Sequence, residues 1–398
     1  MWGFIMPDLS YWLWLSCLQG IKPETALKYV RRFGSAKSLY YSGEKELKLI
    51  EGITEREVRA LNDKDTKKAS NIYKRCGELG IHILCVEDGA YPERLRNIYN
   101  PPLVIYIKGT LPDIDGNVCI GVVGTRRASG YGLQTAERIG RELAEGGSVV
   151  ITGIAEGIDT AAAKGALKAR GSVVAVLGTG VDIVYPAWNS RLQNLIARTG
   201  ALVSEYPPGT RGSKASFPQR NRIISGLSAG VAIVQAPEKS GALITAARAQ
   251  EQGRDIFVVP GNVDDNSFTG SNALIRDGAC LIRSGQDIID EYRWRIPRKN
   301  GNSTPPDMYN ETEPAKLVID NNKGISYIDL MEQLGQLSEE EITLVGTLSG
   351  GELYSDELIA RSALRPEAAL SALTLLELKG YIKAQPDGRF KLIVINKG

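Results

Sequence analysis

The spacing of apolar residues changes character along the chain, and each change marks a different kind of structure. Up to about Cys76 the apolar positions recur at helical spacing in short segments, punctuated by Gly20-Ile21-Lys22, Phe33-Gly34 and Glu51-Gly52-Ile53. Leu9 to Leu18 reads as an amphipathic helix capped by Asp8; Pro23 to Arg32 and Thr54 to Leu61 read as helices that each follow a Gly-Ile turn. From Ile81 the pattern becomes an alternation. Ile81 to Val86, Leu103 to Lys108, Val118 to Val123, Ser148 to Thr152, Val173 to Leu177, Ala201 to Ser204, Val231 to Gln235 and Ile256 to Val259 are strand candidates separated by helical stretches. This predicts an α/β fold with a mostly parallel sheet covered on both faces. Ligands of such sheets bind at the carboxyl ends of the strands, near the point where strand order reverses. The glycine-rich turns after Val123, Thr152 and Leu177 are therefore expected to share one edge.

Beyond Trp294 the periodicity fades into a segment rich in Pro, Asn, Thr and Lys, which reads as a linker. The remainder reads as a small domain. Glu339 starts a helix after Ser338, Ser355 caps a second over Asp356 to Arg361, and Arg365-Pro366 opens a third running to Lys379. Gly380-Tyr381-Ile382 and Phe390 to Ile395 follow as a two-stranded wing around Pro386-Asp387-Gly388, which makes a winged-helix order. Its third helix lacks the spaced Arg, Asn and Gln that read base edges, so protein contact or packing is the favoured role. The domains expected are 1–78 (all-helical, similar to sterile-alpha-motif or helix-hairpin-helix units), 79–294 (the sheet), 295–324 (linker) and 325–398 (winged helix). In the first of these, Glu44-Lys45-Glu46, Glu55-Arg56-Glu57 and Asp63-Lys64-Asp65 mix the charges and dilute any basic face.

Composition narrows the chemistry. A chain of 398 residues exceeds one compact core, and 43 glycines suit a fold with many strand-to-helix turns. The net charge of +2 provides no general steering toward nucleic acid, so such a partner requires a local basic patch. Five cysteines without a paired spacing argue against a disulfide framework or zinc site and fit the reducing cytoplasm. The single histidine, His82, lies in a strand-like run and reads as structural, which removes most support for serine-triad and histidine-metal chemistry. Neither a leader peptide nor a bilayer-spanning run is expected, and neither is a cofactor or a metal.

Five motifs in the sheet region converge. The first is Gly121-Val-Val-Gly-Thr-Arg-Arg-Ala-Ser-Gly-Tyr-Gly132, a strand, a glycine-rich turn and a helix start. In it Gly124, Thr125, Arg126, Ser129 and Gly130 are candidate contacts for an external polyanion, since Arg126 and Arg127 lie inside the turn. Two further turns are Gly153-Ile-Ala-Glu-Gly157, a possible phosphate loop followed by Asp159, and Leu177-Gly-Thr-Gly-Val-Asp182 with Tyr185-Pro186 and Asn189 beyond. The fourth, Arg211 to Arg222, sets Arg211, Lys214, Arg220, Asn221 and Arg222 around Phe217. Cations for phosphates beside a ring for a base suit a single strand; the alternative is that Phe217 is core and that Arg220 and Arg222 form structural ion pairs. The fifth, Ser240, Gly241 and Thr245 at a helix start, is a second possible phosphate loop.

Together Gly121-Val-Val-Gly-Thr-Arg126, Gly153-Ile-Ala-Glu-Gly-Ile-Asp159, Ala175-Val-Leu-Gly-Thr-Gly180, Ser204-Glu-Tyr-Pro-Pro-Gly209, Phe217-Pro-Gln-Arg-Asn-Arg222, Ser240-Gly-Ala-Leu-Ile-Thr245 and Val259-Pro-Gly-Asn262 resemble, in order, the DNA-processing DprA (Smf) family. The resemblance implies an extended Rossmann-like domain in a non-catalytic cytoplasmic protein. It further implies a homodimer through that domain, which binds and protects incoming single-stranded DNA during transformation and loads the RecA recombinase onto it. Arg126 then takes the place of the family's phosphate-contacting arginine, and Lys214 and Phe217 those of its lysine and base-contacting aromatic. One departure is Ala163-Lys164, where many members carry a histidine. The competing class is a Rossmann-like hydrolase of nucleoside monophosphates, for which Glu156, Asp159 and Asp182 are the available acids.

Overall fold

The computed structural model describes residues 8–186, 189–293, 339–348, 353–362, 364, 366–378, 382–384 and 389–392. The chain divides into two compact units, Met1–Lys299 and Asn300–Gly398.

In the first unit the apolar runs pair into one sheet. Its strands are β1 (His82–Cys85), β2 (Val104–Gly109), β3 (Cys119–Val123), β4 (Val149–Thr152), β5 (Val173–Val176), β6 (Ala201–Ser204), β7 (Gly230–Ile233), β8 (Asp255–Val258) and β9 (Cys280–Leu281). They lie in the order β1-β2-β6-β5-β4-β3-β7-β8-β9. From β6 to β9 all neighbours are parallel; β2 joins β6 and β1 joins β2 antiparallel. The mostly parallel α/β sheet expected from the alternation is present. The extra strand β9 is two residues long, too short to leave a periodic signal. Every residue of β3, β4, β5, β6 and β7 is buried, as strands covered on both faces must be.

Helices α8 (Gly130–Glu145) and α9 (Ile158–Lys168) pack on one another, as do α11 (Ser216–Leu227) and α12 (Gly241–Glu251). Right-handed crossovers from β3 toward β6, and from β6 back through β7 to β8, place these two pairs on opposite faces. Strand order reverses between β3 and β7, which are direct neighbours with Gly121 opposite Val231. The turns after β3 and β7 part there in opposite directions and open a crevice.

The N-terminal helices are α1 (Asp8–Cys17), α2 (Pro23–Phe33), α3 (Ala36–Tyr41), α4 (Glu44–Leu47), α5 (Glu55–Asn62) and α6 (Lys67–Leu79). Thr54 caps α5 reciprocally with Glu57. The amphipathic reading of α1 is corrected. Tyr11, Trp12, Leu13, Trp14 and Leu15 are all buried, because α3 and α6 pack on the helix and it also touches β1 and β2, so that only Asp8 and Ser16 near its ends are exposed. Trp14 Nε1 donates to Asp63 O at 2.7 Å, and its ring meets Tyr40 edge-on at 5.0 Å.

In the second unit, helices Glu339–Leu348, Ser355–Ser362 and Pro366–Leu378 enclose Leu344, Leu358, Ala369, Leu373 and Leu376. Strand β10 (Leu353–Tyr354) joins the expected wing strands, β11 (Ile382–Ala384) and β12 (Arg389–Leu392), in the order β10-β12-β11. The expected linker and the turn Pro386-Asp387-Gly388 lie outside the described residues.

Candidate nucleic-acid interface

At the reversal point a groove of about 680 Å³ runs along the carboxyl ends of the strands. Thr125, Arg126 and Arg127 from the turn after β3 line it, as do Lys214, Phe217 and Asn221 from the start of α11 and Lys239, Ser240 and Thr245 from the start of α12. Arg126, Lys214 and Phe217, separated by up to 91 positions in the sequence, are thereby brought together. Phe217 is half-buried. One side of its ring lies on backbone: a Cβ added at Gly178 would sit 2.8 Å from it. Tyr185, 47% exposed, has its ring centroid 5.2 Å from that of Phe217 with 35° between the planes. Arg126 Cζ stands 5.5 Å from the Phe217 centroid, within cation–π range. A cation, two rings and further cations on the rim present the components that hold a polynucleotide, stacking surface beside phosphate contacts.

A buried charge pair holds the floor. Asp159, on the first turn of α9, accepts hydrogen bonds from Gly124 N at 3.3 Å and Gly153 N at 3.1 Å, so one carboxylate ties the turns after β3 and β4. Arg220 is 5% exposed and donates to Gly153 O at 3.1 Å and to Val176 O, tying the turns after β4 and β5. Burial pushes the Asp159 carboxyl above its ordinary range, opposed by the charge of Arg220 and by the backbone amides of Gly124, Gly153 and Ala155. Burial pushes Arg220 down to about 10, and the proximity of Arg126 adds to this against the pull of Asp159. Arg220 still carries its charge at neutral pH. It is a structural cation under the groove, with little surface left for a ligand.

Several other candidates act in the frame. Ser129 caps α8 by accepting from Gly132 N, and its own N and Oγ donate to Gln235 Oε1. Gln235 O in turn accepts from Thr125 N at 2.8 Å, so Gln235, fully buried just beyond β7, anchors the Arg126 turn. Gly130 is exposed on the first turn of α8, outside the groove lining. Ser240 caps α12, Asn221 Nδ2 donates to Gly241 O at 3.3 Å, and Thr245 is buried against the groove. Ser213 and Ser216 exchange hydrogen bonds that fix the loop carrying Lys214.

Two expectations are corrected. Gly153 and Gly157 do not form a cradle open to a phosphate: a Cβ at Gly153 would meet the Arg220 guanidinium at 2.5 Å, and one at Gly157, with φ of 85°, would meet Thr125 O at 2.4 Å. Both glycines admit protein. Arg222 points away from the groove into a largely buried ion pair with Glu205. On α11, positions 217, 220, 221 and 224 share the groove-side face and 222 falls roughly 200° from 220, so helical spacing separates the two arginines. Tyr185 stands in the sequence only as part of the turn motif after Leu177, and Lys239 and Gln235 carry no motif of their own. Lys239 was detectable, standing just before the capping Ser240.

Comparison with known proteins identifies the family and the fold. The family described as DNA recombination-mediator protein A matches residues 82–293, and the DprA winged helix domain matches residues 332–388. Protein Smf of Synechocystis sp. is 33% identical over 96% of this chain and 98% of its own length. DNA processing protein DprA of Bacillus subtilis is 41% identical over 58% of this chain and 76% of its own. The structure of DprA from Streptococcus pneumoniae superposes with a TM-score of 0.63 at 35% identity, covering 72% of this chain and 98% of that one. A structure of DprA from Helicobacter pylori, described in terms of its single-stranded DNA binding mode, gives a TM-score of 0.50 at 30% identity over 54% and 97% of the two chains. On its matched domains, its full-length likeness to a curated relative and the shared fold, this chain belongs to the DprA (Smf) family of DNA processing proteins.

Proposed function

We propose that this protein binds single-stranded DNA in the groove at the β3–β7 reversal, protects it and hands it to the RecA recombinase, acting as a cytoplasmic homodimer without catalysing a reaction. The observation that carries the reading is the juxtaposition of Arg126 with Phe217, 5.5 Å apart and extended by Tyr185, with Lys214 on the same groove. Bases stack on the rings, while Arg126, Arg127, Lys214 and Lys239 meet the phosphates. Stacking contributes ~1–3 kcal/mol per base and tolerates any sequence, which suits a binder of arbitrary incoming strands. The start of α12 adds amides and the Ser240 cap to the phosphate side.

A hydrolase of nucleoside monophosphates needs two carboxylates at the sugar. Asp159 is held by backbone amides, and Asp182 accepts from Gly209 N and Arg75, which leaves Glu156 as the acid lining the small cavity beside Phe217. The geometry therefore favours holding a strand over cleaving a nucleotide.

The test is a titration of poly-dT by fluorescence anisotropy at several salt concentrations. Arg126→Ala and Lys214→Ala each weaken binding and lower the salt slope by roughly 0.7, the value for one phosphate contact on a single strand. Parental affinity in both variants at moderate salt overturns the assignment of the groove.

A further inference from the structure

We propose that the outer face of α2 with the start of α3 is a second contact for the phosphate backbone of DNA, engaged by strands longer than the groove. The inference rests on the groove binding proposed above. Lys28, Arg31 and Arg32 fall within about 100° of arc on α2, opposite the buried Ala26, Tyr29 and Val30, and Lys37 follows on the first turn of α3. All four side chains are exposed, and among the described residues none takes part in an ion pair or a side-chain hydrogen bond. Residues 22–37 hold five cations (Lys22, Lys28, Arg31, Arg32, Lys37) and one acid (Glu24), a net +4 against +2 for the whole chain.

Apart from Glu55, the acids that dilute this region in sequence are engaged elsewhere. Glu44 pairs with Lys48, Glu46 accepts from Gly43 N, Glu57 accepts from Thr54, and the carboxylates of Asp63 and Asp65 accept from the amides of Asp65 and Lys67. Glu24 is half-buried, with Oε2 turned out of solvent. Arg31 and Arg32 also complement the helix dipole in the last turn; Lys28 in mid-helix and Lys37 at a helix start do not. A cationic face without apolar residues or hydrogen-bonding partners recognises a row of phosphates and reads no base. The helical layer reaches the groove side of the sheet through α6, whose Arg75 bonds Asp182 at 3.1 Å in the turn after β5.

The experiment compares the full chain, the variant Lys28→Ala/Arg31→Ala/Arg32→Ala/Lys37→Ala, and a control with the same loss of charge, Lys45→Ala/Lys67→Ala/Lys68→Ala/Lys74→Ala. Each is titrated with dT oligomers of about 6 and about 60 nucleotides at several salt concentrations, with melting temperature as a check on folding. The expected result is unchanged affinity for the short oligomer in all three proteins. For the long oligomer, the α2 variant alone weakens by roughly tenfold or more at low salt, and its salt slope falls by up to about 3, four contacts at ~0.7 each. Equal weakening in the control, parental binding of the long oligomer by the α2 variant, or capture of anionic phospholipid vesicles in place of DNA by this face overturns the proposal. Failure of the parent protein to bind the short oligomer instead sinks the groove assignment.

Discussion

Replacing Arg220 by methionine keeps most of its volume and removes its charge, isolating the role of the buried pair beneath the groove. Asp159 and Arg220 are 4% and 5% exposed, so solvent does little to screen the carboxylate left behind. Losing the nearby positive charge raises the cost of keeping the Asp159 carboxylate ionised, and each buried carbonyl left without its donor costs ~1–3 kcal/mol. The carbonyls of Gly153 and Val176 lose their donors in the same step. For a unit of this size the loss corresponds to a melting temperature lower by roughly 10 °C. The pH dependence distinguishes this mechanism from a packing defect. Burial already lifts the folded-state pKa of Asp159 above its unfolded value, so its contribution to stability is full at pH below the usual carboxylate range and is lost as pH rises through the folded pKa. Without the charge of Arg220 the folded value rises further, and the variant loses more than the parent at neutral pH. The deficit of Arg220→Met is therefore largest near pH 7.5 and narrows toward pH 5, as measured by denaturant unfolding at both values. A melting shift under about 2 °C near neutral pH, or a deficit that grows with acidity, refutes the reasoning.

Phe217→Ala weakens single-strand binding by ~5–150-fold, the equivalent of ~1–3 kcal/mol of stacking, with the salt slope unchanged, as anisotropy titration reads out. Gly153→Ala drives a methyl into the Arg220 guanidinium and lowers stability by ~1–3 kcal/mol in denaturant unfolding, because the guanidinium cannot shift without giving up its bonds to Gly153 O and Val176 O. Gln235→Leu keeps the shape but strips the anchor from Ser129; it costs ~1–3 kcal/mol and weakens DNA binding as the Arg126 turn loosens, measured by unfolding and titration together.

Much of this arrangement is legible in the chain before any coordinates. The alternation from Ile81 onward marks the strands, because strands buried on both faces leave continuous apolar runs. The order of glycine-rich turns places Arg126, Phe217 and Ser240 at one edge, because parallel strands must end together. The remainder escapes for definable reasons. The burial of α1 depends on what packs against its second face, and local periodicity cannot report that. Gly153 and Gly157 look like a phosphate loop because a glycine that admits a ligand and one that admits a guanidinium have the same sequence signature. Arg220 and Arg222 look alike two positions apart; the turn of one helix sends the first beneath the groove and the second to Glu205. The free cations of α2 look diluted in sequence, since the capping roles of Glu46 and Glu57 emerge only when the helices form.

The central claim, that a strand lies over Phe217 between Arg126 and Lys214, is tested most directly by ultraviolet cross-linking of bound oligo-dT followed by peptide mapping. The account predicts cross-links on the peptides carrying Tyr185 and Phe217, lost on competition with unlabelled single strand. Cross-links confined to the winged-helix unit, or to the amino ends of the strands, contradict it.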